Sequence, residues 1–347
     1  MIDSLVRSNI KALKPYSCAR DEFKGRNAHV FLDANESAYN APYNRYPDPL
    51  QEELKNRISS VKGVPSGNIF LGNGSDEAID LVYRIFCEPG IDNVVAIEPT
   101  YGMYKVCADI NNVEYRPVNL SANYAMSADS LLQACDEHTK VIWICTPNNP
   151  TGNDMSRTEL QKVLTDFNGI VVIDEAYSDF SDLKPLRSYL SYFPRMIVLN
   201  TFSKAWASAG IRLGMAYASE EIIALFNKVK YPYNINTITQ EKAMAMLEDI
   251  QKIDRWVNDA RNERKHMIPC LKELPMVKHV YPSSANFLLV KVDNAAAVYA
   301  YLVDKGIIVR NRSNITLCEN ALRITIGSKS ENNELLGALR TYNASSK

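Results

Sequence analysis

Met196-Ile197-Val198-Leu199-Asn200-Thr201-Phe202-Ser203-Lys204 carries a lysine a few residues beyond a short apolar run. Residues 196–199 are apolar at every position, so neither face suits water. A strand of this kind belongs in a sheet covered on both sides. Val94-Val95-Ala96-Ile97, Val141-Ile142-Trp143-Ile144-Cys145 and Ile170-Val171-Val172-Ile173 read the same way. Helical patterns lie between these runs. In residues 156–166, Ser156 stands as N-cap with Glu159 three places on, a capping box in which each side chain takes the other's backbone N–H. Strands alternating with helices predict an α/β domain with a mostly parallel sheet. Such sheets bind ligands beyond the carboxyl ends of their strands, so the residues after each run form the candidate site.

Lys204 has Thr201 and Ser203 beside it, and Arg212 follows within Ala209-Gly210-Ile211-Arg212-Leu213-Gly214. A lysine after a strand is, by itself, more often a surface residue. With two hydroxyls and a guanidinium it suits a phosphorylated aldehyde: the amine condenses with the aldehyde and the others hold the phosphate. Asp174-Glu175-Ala176-Tyr177 follows the run 170–173. A carboxylate there can pair with a pyridine nitrogen and keep it protonated, so that the ring accepts electrons. Tyr177 offers a donor to a phenolate oxygen. An acidic pair after a strand also suits Mg²⁺, but no GxxxxGKS/T loop accompanies it.

Thr146-Pro147-Asn148-Asn149-Pro150-Thr151-Gly152 follows the run 141–145, and Asn149 brings an amide donor to the same edge. Gly72-Asn73-Gly74-Ser75-Asp76-Glu77 precedes a helical pattern over residues 78–87. As a dinucleotide fingerprint it fails at Glu77. As a helix start it offers the N–H groups of Ser75 and Asp76 to a phosphate. Tyr101 lies beyond the run 94–97; an aromatic there can stack on a pyridine ring, although a lone tyrosine is more often a core or rim residue.

The character changes after about residue 235. Residues 239–274 read as one or two long helices. Asn286-Phe287-Leu288-Leu289-Val290, Ile307-Ile308-Val309 and Leu322-Arg323-Ile324-Thr325-Ile326 read as strands, with a helix over residues 295–304. A chain of 347 residues exceeds what one core usually serves. The expected division is an arm over 1–35, packed on the small domain or on a partner subunit, a large domain over 36–238 and a small α+β domain over 239–347.

Composition narrows the function. The net charge is −1, from 39 basic and 40 acidic side chains, which gives no long-range attraction to nucleic acid or to an anionic membrane. No run approaches the ~18 apolar residues of a membrane span, and the first residues lack a signal peptide's apolar core. The seven cysteines contain no CxxC pair and read as small buried thiols of a cytosolic protein. The four histidines, His29, His138, His266 and His279, show no metal-ligand spacing, so no metal is expected.

Together these motifs resemble the fold-type I aminotransferases that depend on pyridoxal 5'-phosphate (PLP). The resemblance covers roughly residues 30–330 and includes the motif order. It implies that Lys204 bonds the cofactor and then shuttles a proton, and that Asp174 meets the ring nitrogen. Asn149 and Tyr177 would meet the phenolate oxygen and Tyr101 the ring face. Ser75, Asp76, Thr201, Ser203 and Arg212 would hold the phosphate. Within the family the chain looks most like the histidinol-phosphate aminotransferases of histidine biosynthesis. That likeness rests on Leu13-Lys14-Pro15-Tyr16, Leu32-Asp33-Ala34-Asn35-Glu36, Asn44-Arg45-Tyr46-Pro47-Asp48-Pro49, Val309-Arg310 and Leu322-Arg323. It departs at Ala207-Ser208 and at Ser17-Cys18-Ala19-Arg20, where relatives often have glycine and Pro-Gly.

This branch implies a homodimer in which Tyr46 reaches the neighbour's cofactor phosphate. It also implies exchange of an amino group between histidinol phosphate and 2-oxoglutarate, with Arg310, Arg323, Tyr16 and Asn35 on the substrate. An aromatic amino acid aminotransferase and a threonine-phosphate decarboxylase of the same fold stay open. A regulatory PLP-binding domain usually carries a DNA-binding module, for which this chain has no spare residues.

Overall fold

The computed structural model describes residues 2–18 and 29–345. Its large sheet has seven strands: β1 (Ile69–Asn73), β2 (Asn93–Glu98), β3 (Glu114–Asn119), β4 (Thr139–Cys145), β5 (Ile170–Asp174), β6 (Met196–Thr201) and β7 (Leu213–Tyr217). Their order is β1-β7-β6-β5-β4-β2-β3, and only β7 runs antiparallel to its neighbours. The four apolar runs of the sequence are β2, β4, β5 and β6.

The helices before the small sheet are α1 (Ser8–Ala12), α2 (Glu52–Lys62), α3 (Gly74–Phe86), α4 (Met103–Ile110), α5 (Ala128–Gln133), α6 (Arg157–Asp166), α7 (Glu220–Val229), α8 (Thr237–Leu247) and α9 (Ile250–Lys272). Successive strand residues point to opposite faces, and both faces are buried. Ile142, Ile144, Val171, Ile173 and Val198 enter one apolar cluster with α2, α5, α6 and α8. Val141, Trp143, Cys145, Val172, Ile197 and Leu199 enter another with α3, α4 and α7. This two-sided burial is why the runs lack polar positions.

The small sheet is β10-β11-β9-β8, all antiparallel, from β8 (Val277–Val280), β9 (Phe287–Val292), β10 (Arg310–Asn311) and β11 (Ala321–Thr325). α10 (Ala295–Asp304) and α11 (Lys329–Ser345) pack on it. Phe287, Leu289 and Ala321 also join the large sheet's first cluster, so the two sheets share apolar contact.

The stretch 239–274, expected as one or two long helices, is two, broken at Glu248-Asp249, where the Asp249 side chain accepts the Lys252 N–H at 3.1 Å and starts α9. Other expectations are corrected. Residues 307–309 form no strand; pairing begins at Arg310, opposite Arg323. The capping box forms by half. Ser156 Oγ accepts the Glu159 N–H at 3.5 Å, but the Glu159 carboxylate takes the Ala128 N–H at 2.6 Å and ties α6 to α5. Of the arm, residues 2–12 lie on the large sheet's cover and not on the small sheet. Ile2, Val6 and Ile10 join the α3–α7 cluster, and the Arg7 N–H donates to Ile85 O at 3.0 Å. Arm residues 1 and 19–28, including Ala19-Arg20, lie outside the described residues. Cys135 and Cys270 are only half-buried, whereas the other five cysteines are buried, and no disulfide joins any of them among the described residues. No described helix is long and apolar enough to cross a membrane.

Candidate active site

A cavity of about 300 Å³ opens at the carboxyl ends of β4, β5 and β6, against the edge of the small sheet. It is lined by Ser75, Asp76, Tyr101, Asn149, Asp174, Tyr177, Thr201, Ser203, Lys204, Arg212, Arg310 and Arg323. The large-domain candidates, Tyr46 excepted, thus meet in one place. Gly74, Cys145, Ala176, Ala209 and Arg312 complete the wall.

One end of the cavity is the start of α3. Gly74 has φ +68, and its N–H donates to Arg212 O at 2.8 Å. A Cβ on Gly214 of β7 would lie 2.2 Å from Ser75 N, so only glycine lets β7 approach this turn. Glu77, the residue that spoils a dinucleotide fingerprint, instead accepts the Asn73 N–H through its carboxylate and closes the helix start. The N–H groups of Ser75 and Asp76 lie in the first turn, beyond reach of any intrahelical carbonyl. The Ser203 N–H donates to Thr201 Oγ1 at 3.1 Å, and Arg212 Nη2 lies 3.4 Å from Asp76 Oδ2. The Thr201 hydroxyl itself donates to Leu213 O at 3.2 Å and shapes the loop, so the first-turn amides, the Ser203 hydroxyl and the guanidinium are the groups that fit a phosphate.

The cavity floor is Asp174, the last residue of β5, which is almost fully buried. Its Oδ2 accepts the Tyr104 hydroxyl at 2.7 Å and its Oδ1 the Ala176 N–H at 3.0 Å. Burial pushes its carboxyl above the usual range, while those two donors pull it back. A cationic ring nitrogen is the partner that such a carboxylate fits. Tyr101 forms a side wall, its hydroxyl donating to Asp76 Oδ1 at 3.0 Å. Asn149 Oδ1 accepts from Arg323 Nη1, which leaves its Nδ2 for the cavity. The Tyr177 ring packs edge-on against Phe287 at 5.1 Å. Lys204 Nζ lies 5.6 Å from the Tyr177 ring centre. Burial, then the charge of Arg323, lower its pKa and favour the neutral, nucleophilic amine. This donor set fits a phosphorylated pyridine aldehyde at each of its functional groups.

Two positioning residues escaped the sequence reading. Tyr104 lies on α4, stacked on Trp143 at 4.8 Å; its spacing of three from Tyr101 was the only signal. Asn148, fully buried, donates to Pro99 O at 2.9 Å and accepts from Thr100 Oγ1 at 3.1 Å. It thereby ties the Asn149 loop to the Tyr101 loop. Arg312 was missed as well, although Arg310-Asn311-Arg312 alternates in the period of a strand.

Tyr16, Asn35 and Tyr46 do not reach the cavity of their own chain. Tyr16 is 75% exposed. Asn35 and Tyr46 line a separate depression of about 520 Å³, where Tyr46 stacks on Tyr233 at 4.4 Å.

Comparison with known proteins places these features. The family model for aminotransferase class I and II matches residues 21–339. A histidinol-phosphate aminotransferase from Bacteroides fragilis is 57% identical over 98% of this chain and 99% of its own. One from Christiangramia forsetii is 50% identical over 98% and 97%. Among solved structures, the histidinol-phosphate aminotransferase from Clostridium acetobutylicum matches with a TM-score of 0.81 at 24% identity, covering 87% of this chain and 92% of that one. That from Sinorhizobium meliloti, solved in complex with pyridoxal 5'-phosphate, matches with a TM-score of 0.80 at 22% identity, covering 88% and 84%. At such identities the solved structures establish the fold alone, the fold-type I architecture. Through the family model and its curated relatives, the chain belongs to the class I and II aminotransferases, in the branch of the histidinol-phosphate aminotransferases.

Proposed function

We propose that the chain transfers an amino group between L-histidinol phosphate and 2-oxoglutarate, giving imidazole-acetol phosphate and L-glutamate in histidine biosynthesis. PLP is the cofactor, and the active form is a cytosolic homodimer. The arm 1–35, the large domain 36–238 and the small domain 239–347 are its working parts. The carrying observation is the cavity itself: a phosphate-fitting end, a carboxylate floor, a lysine with lowered pKa and arginines from the small sheet meet in one space. The names of the curated relatives support histidinol phosphate as the substrate.

Bound PLP supplies an aldehyde for amines and a ring that accepts the electrons released at the substrate's α carbon. The protein's residues do the rest. The α3 start, Ser203 and Arg212 anchor the phosphate and so fix where the ring lies. Asp174 holds the ring nitrogen in its protonated form, while Tyr177 and Asn149 Nδ2 donate to the phenolate oxygen. Lys204 Nζ takes the proton from the substrate's α carbon and returns it on the other side of the transfer. Burial and the charge of Arg323 lower its pKa, which favours the unprotonated form a base needs. The two substrates share one cavity but carry different anions, and Arg323 and Arg310 offer planar two-pronged donors that accept either.

Removing one charge-assisted contact costs about 1.5–3 kcal/mol, roughly ten- to a hundred-fold in substrate use. Arg323→Ala should lose that much on histidinol phosphate. The assay sets histidinol phosphate beside dephosphorylated histidinol, phenylalanine and threonine phosphate. If histidinol serves as well as its ester, or phenylalanine is preferred, the substrate reading fails while the PLP chemistry stands.

A further inference from the structure

The corner of the small sheet that faces the cavity holds three arginines. Arg310 lies directly across from Arg323 in the antiparallel pair of β10 and β11. Like charges placed directly opposite in a sheet oppose folding. Arg312 is two residues beyond Arg310, and its N–H donates to Ala321 O at 2.9 Å, so extended pairing continues past β10. Side chains two apart in an extended segment share a face. All three guanidiniums therefore sit on one face and line the cavity.

None of the three forms an ion pair among the described residues. The cavity's two carboxylates are engaged elsewhere, Asp76 with Tyr101 and Arg212, Asp174 with Tyr104 and Ala176. Arg323 donates to Asn149. Arg312 Nε is buried with no hydrogen-bond partner. A buried donor without an acceptor is costly, so this guanidinium, at the wall of a cavity, is one that the protein's own groups do not satisfy.

We infer that Arg312 is a specificity-determining residue that fits the substrate cavity to a phosphate monoester dianion in preference to a carboxylate. The inference rests on the substrate reading above and sharpens it. A carboxylate offers two oxygens and one negative charge, which the forked donors of Arg310 and Arg323 satisfy. A phosphate monoester offers three oxygens and close to two charges at neutral pH. The third guanidinium supplies the extra charge and donors that only the phosphate uses. The glutamate half of the reaction, which brings only carboxylates, gains little from it.

The test uses the holoenzyme with two ligands that have no amino group and so cannot react: 3-phenylpropyl phosphate and 4-phenylbutyrate. Their dissociation constants are measured by calorimetry for wild type, Arg312→Gln and Arg312→Lys. The visible cofactor band shows that each variant is folded and loaded. In Arg312→Gln the phosphate ligand should weaken roughly ten-fold or more, and the carboxylate by less than about three-fold. Arg312→Lys keeps the charge and should recover part of the difference. Equal weakening of both ligands, or none, overturns the inference. Turnover of histidinol phosphate by wild type is followed in parallel. Its absence sinks the substrate reading and this inference with it, whereas turnover with an unchanged ligand preference in Arg312→Gln sinks only the role of Arg312.

Discussion

Burial pushes Asp174 and Lys204 in opposite directions, and in both cases towards the uncharged form. For Lys204 this is useful as it stands, because a neutral amine is the nucleophile. Lys204→Ala should keep the fold yet lose the visible band that borohydride abolishes. Reduction of wild type followed by peptide mapping should label Lys204, and a label on another lysine would refute the assignment. For Asp174 the push must be opposed, since only the ionised carboxylate holds a protonated ring nitrogen. Tyr104 opposes it by donating at 2.7 Å. Tyr104→Phe keeps the stack on Trp143 but removes that donor. A hydrogen bond to a charged group is worth about 1.5–3 kcal/mol, so kcat should fall roughly ten- to a hundred-fold, with a smaller loss of cofactor affinity. An unchanged kcat would remove Tyr104 from the site's electrostatics. The difference between these residues also explains what could be read from the sequence. Lys204, Asp174 and Asn149 follow apolar strands directly, and parallel strands bring their ends together. Tyr104 depends on which way α4 faces, Asn148 on a loop's internal bonds and Arg312 on a two-residue strand, none of which a local pattern specifies.

Elements differ in legibility for the same reason. β2, β4, β5 and β6 are central and buried on both faces, so every position is apolar. β3 is an edge strand with Pro117 and half-exposed residues, and edge strands lack that signature. β7 carries Gly214 and Ala216 because it must pass close to the α3 start, and small residues conceal a strand. The turn after β5 makes a prediction of its own. Glu175 is almost fully buried; its Oε1 accepts the Leu186 N–H at 2.8 Å, and its Oε2 has no partner. Burial pushes its carboxyl up from 4.5 to about 7. Between those values the native protein keeps a proton that the unfolded chain has released. The stability it contributes is therefore full below about pH 4.5 and is lost as the pH rises to about 7, on the order of 3 kcal/mol in all. Glu175→Gln keeps the Oε1 acceptor and cannot ionise. Relative to wild type, its denaturation midpoint should therefore be markedly higher at pH 8 than at pH 5. A pH-independent difference between the two proteins would show that Glu175 does not titrate in this window.

The whole molecule leaves one group of expected ligands outside its own cavity. Val30, Leu32, Tyr39, Tyr43 and Tyr46 are each more than half exposed, and Tyr16 is 75% exposed. Scattered apolar residues on a surface are ordinary, but several within one segment suit a face for another molecule, and a second copy of this chain is the occupant the test below addresses. Tyr46 is held ready there by the Glu36 carboxylate, which accepts the Tyr46 N–H at 2.7 Å and also pairs with Arg45 at 2.7 Å. An exposed tyrosine that lies outside its own chain's catalytic cavity is what a shared active site requires from a second copy. Under that arrangement, each cavity receives Lys204 from one subunit and Tyr46 from the other. Mixing inactive Lys204→Ala protein with an impaired Tyr46→Ala variant then has a distinct outcome. In the hybrid dimer one cavity collects both defects and the other collects neither, so activity should rise above either parent. If the cavities were independent, the hybrid would hold one dead site and one impaired site, and mixing would recover nothing. The measurement is turnover after subunit exchange, with exchange proven by mass-tagged subunits. No recovery in proven hybrids would mean that Tyr46 serves some other contact and that each subunit completes its own site.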